Sequence, residues 1–113
     1  MDCELENIKK LQEITKLKNT TMRELNLKLF DFTKASIEYN DEYNEKLTTL
    51  EFDTLIKGRV TDASKKAYIE NILKEKLASK KELEVKCEQL KNQIKVLDDR
   101  IRLYEYAIKY YQK

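Results

Sequence analysis

From Leu83 to Tyr111 the apolar residues recur in steps of four and three without a slip. Cys87, Ile94, Ile101 and Ile108 occupy one row, and Leu83, Leu90, Leu97, Tyr104 and Tyr111 the other. This heptad predicts a helix buried along a narrow seam against another helix. Branched residues in the first row with Leu in the second would also suit a parallel pairing of this helix with itself.

The N-terminal half carries a weaker version of the same spacing. Ile8, Leu11, Thr15, Lys18, Met22, Leu25, Leu29, Phe32, Ser36, Tyr39, Tyr43, Lys46 and Leu50 follow it, four of them polar. Leu17, Leu27, Phe30 and Ile37 fall off this seam, so the helix is apolar on more than one side and needs more than one cover. Thr21 and Glu24 have the spacing of a capping box, and Asn40-Asp41 with Asn44 forms a second polar cluster. Neither place has Gly or Pro, so a continuous or mildly bent helix is expected.

The break falls at Lys57-Gly58-Arg59-Val60-Thr61-Asp62. Gly58 suits the left-handed position after a helix, and Thr61 or Asp62 suits the next N-cap. The expectation is one all-α domain, a long antiparallel helical hairpin or coiled coil. Its helices span about 3–57 and about 62–112, joined by a turn at about 58–61. Folding the chain there places residue i near residue 118 minus i. Glu38, Asp41, Glu42, Glu45, Glu51 and Asp53 then face a stretch with Lys65, Lys66, Lys74, Lys76 and Lys80. The match favours the hairpin orientation more than its stability, because exposed ion pairs are worth ~0–1 kcal/mol each.

Composition agrees with long helices. Of 113 residues, 39% are charged, none is Pro and one is Gly, which leaves little turn chemistry for a sheet. The net charge of +2 is uneven, with −3 over residues 1–57 and +5 over 58–113. The second half is therefore the better match for a polyanion. Cys3 and Cys87 have no metal-like spacing and there is no His, so neither a metal site nor a cofactor is expected. The start, Met1-Asp2-Cys3-Glu4, is acidic and unlike a signal peptide, and no apolar run nears the ~18 residues of a membrane span. A soluble cytoplasmic protein with reduced thiols is expected.

Val96, Leu103 and Tyr110 form a second apolar stripe, seven apart. One hairpin seam cannot cover it. Leu17, Leu27, Phe30, Val96, Leu103 and Tyr110 are therefore expected to form the interface of a homo-oligomer.

No catalytic motif appears. Asp98 and Asp99 are adjacent, and neighbouring helical residues point apart, so an enzyme is not expected. Lys95, Asp99, Arg102, Tyr106, Lys109 and Lys113 share one helix face away from the seam. Cations that follow phosphates around a ring that stacks on bases suit single-stranded nucleic acid, and Lys95, Arg102, Tyr106, Lys109 and Lys113 are its candidate contacts. The competing reading is an ordinary solvated face. Lys57, Arg59, Lys65 and Lys66 make a second basic cluster at the turn. On the other view of the chain, it is an interaction module (adaptor, scaffold or inhibitor) that docks a larger protein through apolar residues.

The stretch from Tyr39 to Tyr111 places a tyrosine-bearing helix before Gly58-Arg59. A long helix with Tyr104-Glu105-Tyr106 near its end follows. In this layout the chain resembles the small helical recombination-mediator proteins of T-even phages. That resemblance implies an oligomer that binds single-stranded DNA and helps to load a recombinase. Helical-hairpin secretion substrates of the WXG type have a similar length, but they need Trp and Gly in the central turn, where this chain has Lys57-Gly58-Arg59.

Overall fold

A computed structural model of the chain describes the backbone of residues 2–111 and the side chains of 4–110. The fold is an all-α helical hairpin: α1 (Asp2–Thr49), α2 (Phe52–Leu55), α3 (Asp62–Ile72) and α4 (Lys74–Tyr111), with no strand among the described residues. The chain forms two compact units. A terminal unit joins residues 1–29 to 85–113, and a turn unit comprises residues 30–84.

In the terminal unit α1 and α4 run antiparallel. Lys18 pairs with Asp98 at 2.5 Å, and further along α1 Glu24 meets Lys86 at 3.7 Å. The α4 heptad lies inward as expected. Cys87, Leu90 and Leu97 are buried, and Ile94, Ile101, Tyr104 and Ile108 are half-buried. On α1 the row of Leu11, Lys18 and Leu25 faces inward, but its companion row differs from the expectation. Thr15 and Met22 are exposed, while Ile14 is half-buried and Thr21 is buried. Between residues 14 and 22 the inward face is thus rotated by one position toward Thr21, whereas Ile8 and Leu29 of the expected row remain half-buried. Burying the Thr21 hydroxyl is tolerable because it donates to the Leu17 carbonyl at 2.8 Å.

The turn unit has its own core of Tyr39, Phe52, Ile69 and Leu73, with Tyr43, Leu50, Ile56, Val60, Tyr68 and Leu77 packed around it. This core explains why α1 stops at Thr49 instead of continuing to about residue 57. A helix continued past Thr49 would put Phe52 in line with Asp31, Glu38 and Glu45, seven apart on an exposed row. Ending the helix lets the single turn of α2 carry Phe52 inward, edge-on to Tyr68 with ring centres 6.2 Å apart. At the end of α1 the Leu50 amide still donates to the Lys46 carbonyl at 3.1 Å, and the Thr48 and Thr49 hydroxyls donate back to the carbonyls of Asn44 and Glu45.

Gly58 has φ +86°, the left-handed geometry expected of it. Thr61 is the N-cap of α3. Its side chain accepts from the Ser64 amide at 3.1 Å, and its own amide donates to the Ser64 hydroxyl at 2.8 Å. The second helix, expected to be unbroken from about 62, is interrupted at Leu73, where φ is −97° and ψ 18°. The α4 heptad run backwards would turn Lys76 inward. With the interruption, Leu77 packs on the core and Lys76 reaches outward to Glu42.

Candidate functional site

The site suggested by the pattern lies on α4 within the terminal unit. Burial of Cys87, Leu90 and Leu97 fixes the rotation of this helix, and residues on its far side must then face water. Lys95, Asp99, Arg102, Tyr106 and Lys109 are all exposed, the Tyr106 ring at 72%. Lys113 lies outside the described residues, as do Gln112 and the side chains of Cys3 and Tyr111.

Several cations of the same unit are engaged, while Arg100 has no ion pair among the described residues. Lys18 is held by Asp98, Lys86 by Glu24, and Lys91 by Glu88 at 3.3 Å. By contrast, no ion pair with any described residue engages Lys95, Arg102 or Lys109. These three cations stand seven apart, with Tyr106 between the last two. Asp99 interrupts the row. By sequence the terminal unit holds thirteen Lys/Arg against nine Asp/Glu, a net +4, whereas the turn unit holds ten against twelve, a net −2. The excess positive charge therefore sits in the unit that presents the stripe.

Tyr104 is half-buried in the seam and is separate from the stripe. Lys95 also borders a shallow recess of about 410 Å³ against Met22, Leu25 and Ile94. The opposite side of the terminal unit carries a groove of about 480 Å³ between Leu17 and Val96, rimmed by Gln89, Gln93 and Arg100.

All six residues expected at an oligomer interface are exposed: Leu17 at 53%, Leu27 at 67%, Phe30 at 68%, Val96 at 52%, Leu103 at 66% and Tyr110 at 67%. Leu17 and Val96 share the groove, while Phe30 belongs to the turn unit with exposed Ile37 beside it.

The basic cluster at the turn is divided. Lys65 Nζ sits 5.4 Å from the Phe52 ring centre, and Lys66 lies 3.8 Å from Glu70. Lys57 and Arg59 are exposed. Of the acids expected to face 65–80, Glu42 meets Lys76, which obeys the 118 rule. Glu38, Asp41 and Glu45 point to solvent, as does Asp31. Asp31, Glu38 and Glu45 form an acidic row that pattern reading missed, although its spacing of seven was visible. No cluster among the described residues has the makings of a metal site. No described helix is long and apolar enough to cross a membrane.

No family model matches the chain, and neither the curated proteins nor the solved structures give a match.

Proposed function

We propose that the chain is a non-enzymatic cytoplasmic accessory protein that binds single-stranded nucleic acid along α4, in the manner its resemblance to phage recombination mediators implies. The observation that carries this reading is the row Lys95, Arg102 and Lys109, exposed and without ion pairs to described residues, with an exposed Tyr106 ring among them. From Lys95 to Lys109 the row covers roughly 21 Å at ~1.5 Å per residue, enough to follow a few nucleotides. Phosphates would release counterions at the cations, and the ring offers a stacking surface without base preference.

The test is a salt series of binding to short oligonucleotides. The double variant Arg102→Ala/Lys109→Ala should weaken binding and lower the salt slope by about 1.4, or ~0.7 per lost phosphate contact on a single strand. Asp99→Asn should tighten binding slightly, since it removes a charge that repels phosphate. Unaltered affinity and slope in the double variant would defeat the reading. A second reading, a protein-interaction module, is favoured by the groove between Leu17 and Val96. It predicts no oligonucleotide binding and loss of partner binding when Leu17 or Val96 is made polar.

A further inference from the structure

Two exposed helical faces, one in each unit, match each other in period, charge and apolar content. On α1 of the turn unit, Asp31, Glu38 and Glu45 are exposed and seven apart. Each of the first two directly follows an exposed apolar residue, Phe30 at 68% and Ile37 at 56%. On α4 of the terminal unit, Lys95, Arg102 and Lys109 are exposed and seven apart. Each directly precedes a residue of the outer apolar row, with Val96 at 52% and Leu103 at 66% exposed. None of the six charges has an ion-pair partner among the described residues.

We propose that the acidic outer face of α1 in one copy of the chain docks on the basic face of α4 in a second copy, with the two helices parallel.

Direction follows from helix handedness. Seen from N- to C-terminus, successive residues advance clockwise by about 100°. The acids therefore lie clockwise of Phe30 and Ile37, and the bases lie anticlockwise of Val96 and Leu103. When two apolar rows face each other, a clockwise flank on one helix meets an anticlockwise flank on the other only if the helices are parallel. This is the geometry in which flanking charges pair across a two-stranded coiled coil, with each partner about five positions further on.

One register satisfies all three pairs. Setting Phe30 level with Asp99 and Ile37 level with Tyr106 brings Lys95 to Asp31, Arg102 to Glu38 and Lys109 to Glu45. It also places Lys34 one layer from Asp99, which supplies a partner for the acid that interrupts the basic row. An antiparallel arrangement separates the flanks and forms none of these pairs. With Lys34, Asp41 and Asp99 inside it, the seam is mixed, so charge rather than apolar burial sets its specificity. Its strength should then fall as salt rises, since the pairs are solvent-exposed.

The inference does not rest on the nucleic-acid reading, but the two share the basic face. An oligonucleotide and the acidic face of a second copy should therefore compete for it.

A charge swap tests this, read by sedimentation at low salt with circular dichroism to confirm folding. Glu38→Lys and Arg102→Glu should each weaken self-association about tenfold or more, because each turns an attractive pair repulsive. The double variant Glu38→Lys/Arg102→Glu should restore it. A wild-type chain that stays monomeric at low salt overturns the proposal. So does either single variant that assembles like wild type, or a double variant no better than the singles. Oligonucleotide binding by the same variants separates the two ideas. If both readings hold, Glu38→Lys keeps binding, while Arg102→Glu and the double variant lose it. If the swap restores assembly and no variant alters oligonucleotide binding, the nucleic-acid reading fails and the docking stands.

Discussion

The ammonium of Lys80 stands 5.2 Å from the centre of the Tyr39 ring, and that ring is 7% exposed. A cation over a largely buried aromatic face ties the start of α4 to the middle of α1 within the turn unit. The hydroxyl end of the same residue is disfavoured as an anion. Burial raises the Tyr39 pKa above its ordinary 10.0, and the negative charge on Glu70 and the Tyr43 hydroxyl add to the rise.

The sign of the resulting pH dependence is fixed. A raised folded-state value means that the folded chain holds this proton more tightly than the unfolded chain does. The stability this supplies is complete below about pH 10 and is lost as pH rises through the raised value. Thermal melts between pH 8 and pH 11 should show a falling alkaline limb that is shallower in Tyr39→Phe. An identical limb in the two proteins would mean that Tyr39 is not the group responsible.

Phe52 should be the most costly single truncation in the turn unit. It is 6% exposed, meets Tyr68 edge-on and lies under Lys65. Phe52→Ala should cost about 3–5 kcal/mol, from lost transfer energy and the cavity left behind. Leu55, three residues on in the same short helix, is 43% exposed, and Leu55→Ala should change stability by less than about 1 kcal/mol. Urea titrations of the pair check this, and equal losses would contradict the core assignment.

The same residue shows where pattern reading stops. Heptads report how a continuous helix meets one neighbour. The α4 seam was therefore legible from Cys87 to Ile108, because its rows are uniformly apolar and unbroken. Gly58 and Thr61 were legible because local backbone chemistry decides them. Phe52, Ile69 and Leu73 form a core only after α1 has ended and the chain has turned back, which no spacing records. On α1 the departure is local to residues 14–22, where Thr15 and Met22 face water and Ile14 and Thr21 turn inward although Met22 is more apolar than Thr21; Ile8 and Leu29 of the expected row stay half-buried. The basic stripe was visible in the sequence, but the absence of ion pairs to described residues at Lys95, Arg102 and Lys109 needed the side chains of their neighbours.

Thr61 should matter more than its exposure suggests. Its hydroxyl and the Ser64 hydroxyl each serve a backbone amide at the start of α3. Thr61→Ala should cost about 1 kcal/mol, and Thr61→Ser should recover most of it because the accepting oxygen remains. Equal stability of Thr61→Ala and wild type in denaturant titrations would show that the cap is energetically idle.

Thr21 offers a test in the opposite direction. It is 6% exposed in the terminal unit and is the buried polar residue on the inward face of α1. Its hydroxyl donates to the Leu17 carbonyl at 2.8 Å, one turn back in the same helix. That carbonyl has its ordinary helical partner in the Thr21 amide, so losing the hydroxyl orphans nothing. Thr21→Val removes donor and desolvation cost together and keeps a branched side chain beside Leu97, which lines the same groove. Replacing a satisfied buried hydroxyl by an apolar group of similar shape is nearly neutral or stabilising. Thr21→Val should therefore match wild type or gain up to about 1 kcal/mol in urea titrations. Thr21→Ala should lose about 1 kcal/mol or more, through the methyl it no longer packs. If Thr21→Val is instead the less stable of the two, the hydroxyl contributes beyond its bond to Leu17, and the inward rotation of α1 toward this position would need another explanation.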